Sequence, residues 1–316
     1  MTKRMKIIPN APLFRDPVYD GAADPVIIWN PFEEAWWIFY TNRRAFSQGL
    51  GVSYMHGSDI GIASSADGGK NWIYRGTAKG LAFEEGRNTY WAPEIIEYEG
   101  TFHMYVSYVR GIPNSWEFPR KILHYTSRNL WDWELAGPVP LASDRVIDAC
   151  VIRLPDKRWK MWYKNERDHG FTYSACSDDL YSWVCGGPEI TDCPHEGPNV
   201  FRFHNKFWMI TDPWEGLGVY SSEDAENWSR CPNILCEPGI REDDGTIGAH
   251  ADVLVHKDHA YIFYFTHPEV SKEERNDPGF VWEYRHRRSS LQVAELVYRH
   301  GILTCDRDHV EIDLQK

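Results

Sequence analysis

The chain has 316 residues, 42% hydrophobic and 15% aromatic, enough apolar material to bury a full core. Its formal charge of −12, without a Lys/Arg-rich run, argues against a nucleic-acid partner or an anionic membrane surface and fits a neutral substrate better. No stretch approaches the length of about 18 apolar residues that a membrane span needs, and the start MTKRMKIIPNAPLF has no apolar run of signal-peptide length. The chain as given reads as cytoplasmic, with secretion or a periplasmic location open if a leader has been removed.

In chain order, five segments repeat one pattern: a short apolar strand, a tight polar turn and an aromatic-rich strand alternating with period two. They read VIIWNPFEEAWWIFY after Asp24, EIIEYEGTFHMYVSY after Trp91, CVIRLPDKRWKMWYK after Asp148, NVFRFHNKFWMITD after Glu196 and DVLVHKDHAYIFYF after His250. Each is a hairpin signature. A step of eleven residues links the last four openings to Phe102, Trp159, Phe207 and Tyr261, and a step of twelve links Asp24 to Trp36. Four units continue into a second hairpin that ends in SSADGGKNW, TSRNLWDW, CSDDLYSW or SSEDAENW, which puts Trp72, Trp133, Trp183 and Trp228 in register. The openings at 24, 91, 148, 196 and 250 are 67, 57, 48 and 54 residues apart. With about four strands per unit and no 3.6-residue periodicity, that spacing predicts an all-β, five-bladed β-propeller, one catalytic domain over 1–316. The segment SKEERNDPGFVWEYRHRRSS at 271–290 breaks the rhythm and suits a lid or an oligomer contact. Seven cysteines, odd in number and without CxxC spacing, indicate neither a disulfide framework nor a zinc site, and read as mostly buried thiols.

In a propeller the first strand of every blade lines the central channel, so the five opening residues converge. Three of them, Asp24, Asp148 and Glu196, are carboxylates, and unpaired charge among apolar strands must be solvated, paired or functional. A Glu beside Gly197 and Pro198 that stays protonated, with an Asp facing water that stays ionised, would supply the acid and base of glycoside hydrolysis. Turn chemistry is an equal reading for an Asp before a Pro such as Asp24 taken alone, but three acids at equivalent positions shift the weight to catalysis. Trp91 suits stacking on a sugar face or plugging the channel. Glu94 is a candidate partner for a sugar hydroxyl, and Arg43, Arg44, Arg241 and Trp214 are candidates for the pocket rim.

The stretches ADPVIIW, YWAPEIIEYEGTFHMYVSY, VIDACVIRLPDKRWKMWY, HEGPNVFRFHNKFWMI and GAHADVLVHKDHAYIFY resemble the blade openings of glycoside hydrolase family 43 and its five-bladed relatives over nearly the whole chain. The resemblance implies Asp24 as general base, Asp148 as the residue that tunes and orients the acid, and Glu196 as the general acid, held protonated by the charge of Asp148. It also implies inversion of configuration, with the working carboxyls about 6.5–9.5 Å apart. The substrate would be the terminal sugar of a glycoside or oligosaccharide, of furanosyl, arabinose or xylose type, with no required cofactor. In similar propellers a His at the place of His250 lies near water or a bound calcium; calcium prefers oxygen, so an indirect part for His250 is favoured, with Asp252 as a candidate donor.

Asp148-Ala149 stands where the family often has Asp-Pro, WAPE replaces a common Asp in blade two, and no β-sandwich follows. These departures fit a sister family such as the 3,6-anhydrogalactosidases equally well. Other readings are a retaining fructosidase-like enzyme, which would normally open with a WMNDPNG-like motif, a phosphorylase, which needs a basic phosphate cradle, and a non-catalytic carbohydrate-binding propeller.

Overall fold

The computed structural model describes residues 6–277 and 279–316. Five four-stranded antiparallel meanders follow one another at 22–77, 89–138, 146–190, 196–234 and 249–306. Their first strands, Ala22–Asn30, Thr89–Tyr98, Val146–Arg153, Glu196–Phe203 and Ala249–His256, form a closed ring in which each packs on the next and the fifth packs on the first. This is the five-bladed propeller that the repeat predicts. The amino-terminal segment straps the ring shut: Ile7 bridges Ile312, Phe14 bridges Leu291 and Gly21 bridges Ser289, tying blade one to blade five.

The second strands are aromatic-rich because both of their faces are covered. Ala35–Asn42 is buried at every position, and Trp37 and Phe39 join Met104 and Val106 in an apolar layer between the first two blades. Similar layers fill the spaces between the other blades, so the core is a set of wedges around the channel. The recurring outer turns have a common cause. Ser65, Ser127, Ser177 and Ser222 accept the N–H of Gly69, Leu130, Leu180 and Ala225, all at positive φ. In three of the turns the carbonyl of that residue accepts the indole N–H of Trp72, Trp133 or Trp183.

Every first strand carries a β-bulge at the channel mouth, opposite Tyr40, Val106, Tyr163, Thr211 and Tyr264. The bulges begin at Asp24, Ala92, Asp148, Gly197 and His250, and the first four of these have φ between 43° and 60°. This corrects the sequence register in two blades: Trp91 and Glu196 sit one residue before the bulge. In blade five Ala260, not Tyr261, aligns with Trp36 and Phe102. A constant eleven-residue step fails because the turns between the first two strands differ in length, from two residues at 99–100 to five at 154–158.

The bulges leave backbone N–H groups without ladder partners, and the neighbouring blade supplies acceptors. Thr41 accepts from Ala92 at 2.8 Å, Ser107 from Asp148 at 2.9 Å and Asp212 from His250 at 2.9 Å. These three acceptors occupy one equivalent position on their second strands. In blade three that position is Lys164, which cannot accept, and the N–H of Gly197 bonds instead to Asp148 at 3.1 Å. A second polar belt lies deeper: Asp252, Glu94, Cys150 and Asn199 accept the N–H groups of Ile27, Val151, Val200 and Val253.

The segment at 271–290 forms two single helical turns, Lys272–Arg275 and Tyr284–Arg287, before the third strand of blade five. Of the seven free thiols only Cys150 is fully buried, five are partly buried and Cys185 is exposed, which corrects the expectation of mostly buried cysteines.

Candidate active site

At the bulged end of the channel is a cavity of about 810 Å³ whose walls include Asp24, Asp148, Glu196 and His250. The bulge is what delivers the two aspartates: by turning the backbone to positive φ at Asp24 and Asp148 it aims both side chains into the opening, where a regular strand would send alternate residues to opposite faces.

Asp24 is 4% exposed, and its carboxylate accepts a fork of bonds from Arg43 Nη2 at 2.8 and 3.1 Å. His250 Nδ1 lies 3.5 Å away. Burial alone pushes the pKa of Asp24 upward, but the Arg43 guanidinium, the His250 ring and Thr41 outweigh it and leave the carboxyl below its usual range. Asp24 is therefore ionised and ready to accept a proton.

Glu196 has a different partner from the one its sequence surroundings suggest. Its Oε2 lies 3.2 Å from Lys164 Nζ and its Oε1 accepts from Trp214 Nε1 at 3.3 Å. Burial favours the neutral acid, yet Lys164 and His250 overcome that effect and lower the pKa. Asp148 moves the other way, to about 7, through burial and the Glu196 charge, with His250 opposing. The expectation that the Asp148 charge keeps Glu196 protonated is thus reversed in the free site. A proton shared by the pair is favoured on Asp148, because the ammonium of Lys164 stands beside Glu196 and pairs also with Glu166 at 3.6 Å.

His250 sits at the centre of this charge. Burial disfavours its charged ring, but Asp148, Asp24, Glu196 and Asp212 together raise its pKa. Asp252 offers nothing beside it, since its oxygens accept from Ile27 and from Asn199 Nδ2 at 2.8 Å. Asp252 is therefore not placed to serve a calcium ion beside His250, and an ion there would draw its oxygen ligands from other groups.

Trp91 and Trp214 line the cavity as expected; Trp91 is 7% exposed and Trp214 40% exposed. Three other candidates are elsewhere. Arg44 points away, bonding to the carbonyls of His56 and Ser53 at 2.7 and 2.9 Å, because successive side chains leaving a strand alternate and Arg43 takes the inward direction. Arg241 is bound to Asp244, Gln292 and the carbonyl of Val293, outside the cavity. Glu94 belongs to the deeper belt and is spent on the Val151 N–H at 2.8 Å.

Sequence reasoning missed Lys164 and Asp212, although a signal existed: a polar residue stands near the end of the second strand, one place after the residue opposite the bulge, in four of the five blades, at Thr41, Ser107, Lys164 and Asp212. It also missed Arg120, 3% exposed and 2.9 Å from Glu166, and the wall formed by Arg275, Phe280 and Trp282 from the 271–290 segment.

The fold and this carboxylate-lined mouth place the chain in the structural class of the five-bladed propellers that includes the family-43 glycoside hydrolases. It is similar over 94% of its length to 97% of a thermostable family-43 glycoside hydrolase, with a TM-score of 0.67 and 18% identity. A β-xylosidase/α-arabinofuranosidase of that family from a compost microbial metagenome, solved with xylotriose in a calcium-free form, has a TM-score of 0.68 and 14% identity, over 95% of this chain and 97% of that one. A family-43 β-1,3-galactosidase solved with galactodeoxynojirimycin has a TM-score of 0.66 and 17% identity, over 96% and 100%. At these identities the likeness is one of fold. No known family's sequence profile matches the chain, and no curated protein does.

Proposed function

We propose that the protein is an inverting glycoside hydrolase that removes a terminal sugar. The observation that carries this reading is the meeting of Asp24, Asp148 and Glu196 around His250 in one cavity, with Asp24 ionised and a proton held by the Asp148–Glu196 pair. Asp24 activates the water that attacks the anomeric carbon. The pair supplies the proton to the leaving oxygen through Glu196, which takes it from Asp148 as the substrate displaces Lys164. His250 and Arg43 keep Asp24 charged and aimed. A single cavity at one end of the channel suits a chain end, and the solved structures named above make a pentose or galactose unit the first choice.

The test combines substitution with stereochemistry. Asp24→Asn and Glu196→Gln are each expected to reduce turnover about 10²–10⁴-fold while the fold survives. For Glu196→Gln the loss should be smaller on an activated aryl glycoside, whose leaving group needs little protonation. NMR of the first-formed product should show the inverted anomer; retention would make Asp24 a nucleophile, and equal losses on activated and natural substrates would remove Glu196 as the acid.

A further inference from the structure

The cavity holds a cation that the carboxylates around it do not engage. In a chain of net charge −12, four arginines and one lysine line it together with five carboxylates. Most of the cations have work within the protein. Arg43 forks onto Asp24, Arg120 pairs with Glu166, Lys164 bridges Glu166 and Glu196, and Arg287 bonds to the carbonyl of Ser47 at 2.8 Å and covers the Tyr54 ring. Arg275 is the exception: among the described residues its guanidinium has neither a hydrogen bond nor an ion pair. Its charged neighbour Asp212 acts on it only from a distance, and that carboxylate is engaged by the N–H groups of His250 and Trp214.

Arg275 is nevertheless held in place. Its helical turn has a capping box, in which Ser271 Oγ accepts from the Glu274 N–H and Glu274 accepts from the Ser271 N–H at 3.0 Å. Arg285 clamps the same Glu274 at 3.2 Å. Trp282 stacks over Tyr54 at 6.5 Å and meets His267 edge-on at 5.3 Å, while Tyr284 stacks on Phe46 at 4.4 Å. The segment is therefore an anchored wall on which Arg275, without a partner among the described residues, lines the same cavity as Phe280 and Trp282.

We propose that Arg275 and the Trp282 wall form a subsite for an anionic group, a carboxylate or a sulfate ester, on the sugar that the cavity binds. The inference rests on the glycosidase reading of the site and narrows its substrate class to charged sugars. A guanidinium matches two oxygens of such a group with parallel N–H bonds, and charge-assisted bonds in a partly dry cavity outweigh those to neutral hydroxyls. The negative charge of the whole molecule argues for a neutral ligand only while the local distribution is ignored.

Calorimetric titration of the intact protein with D-galacturonate, D-glucuronate, galactose 6-sulfate, their neutral parent sugars and inorganic phosphate tests the subsite without needing turnover. At least one charged sugar should bind about tenfold or more tighter than its parent. Arg275→Gln should bring that ratio close to one, and Arg275→Lys should keep part of it; circular dichroism of both variants confirms the fold. Preference for the carboxylate or for the sulfate identifies the group. Equal binding of charged and neutral sugars, no binding of any sugar, a preference that survives Arg275→Gln, or binding of phosphate alone would each overturn the proposal. Aryl glycoside turnover, measured separately, reports on the glycosidase reading, so the two can fail independently.

Discussion

Asp24 shows how much of a site rests on one neighbour. Its charge is tolerated in a nearly dry position because Arg43, 8% exposed at the side chain, provides both a fork of bonds and a counter-charge. Removing one partner of a buried pair leaves the other uncompensated, so Arg43→Gln is expected to cost about 3–5 kcal/mol at neutral pH. The sign follows from linkage. A carboxyl whose folded pKa is depressed contributes stability above its unfolded pKa and loses it as pH falls through the folded one. The cost of Arg43→Gln should therefore shrink in acid, and the acidic limb of the kcat/KM profile should move to higher pH. Urea unfolding at several pH values measures the first effect and initial rates the second; an unmoved acidic limb would take Asp24 out of the base role. The three acids were legible in the sequence because each sits near the head of a repeated segment. Their partners were less so: Arg43 was read only as a rim candidate, and Lys164 reaches Glu196 across the packing of blade three on blade four, which a linear pattern does not carry.

At the scale of the element, hairpins were legible and bulges were not. Alternation and turn composition announce a strand pair such as Ala35–Asn42 with its neighbours, but an extra residue at Asp148-Ala149 leaves the hydrophobic pattern unbroken while it reverses which side chain faces the channel. The same bulges explain the polar ends of the second strands, whose side chains serve the next blade. Ser107 is 1% exposed and accepts the Asp148 N–H. Ser107→Ala would leave that donor buried without a partner, at a cost of about 1–3 kcal/mol. Because the donor belongs to Asp148, turnover should fall as well, while Ser107→Thr restores both. Denaturant midpoints and rates on one substrate decide it; a stability loss below about 0.5 kcal/mol, the range of ordinary surface changes, would mean that the bulge finds another acceptor.

The propeller itself was readable from five repeats of similar length, because a closed ring of blades needs nothing beyond equal units. What the repeats concealed is how charge is layered along the channel: a carboxylate layer at the mouth, and below it a belt with Glu94 buried and Asp252 partly buried. Glu94 was a candidate for touching the sugar; in the folded chain it lies in the deeper belt and accepts the Val151 N–H instead. Its pKa is raised to about 8 by burial and then by the Asp252 charge, and Asp148 above it is raised to about 7. A carboxyl with a raised folded pKa contributes stability that is fully present below its unfolded value and lost as pH rises through the folded one. Between roughly pH 4 and 8 the folded state binds more protons than the unfolded chain, so these two groups make stability fall with pH across that window, with no further loss from them above it. Glu94→Gln keeps the acceptor for the Val151 N–H and deletes the titration. The variant should show a shallower decline of Tm between pH 6 and 9 and should overtake the native chain at the alkaline end, while turnover at neutral pH stays close to that of the native chain because the residue lies below the carboxylates of the mouth. Melting curves across that range give the answer, and an unchanged slope in the variant would mean that Glu94 is already ionised in the fold.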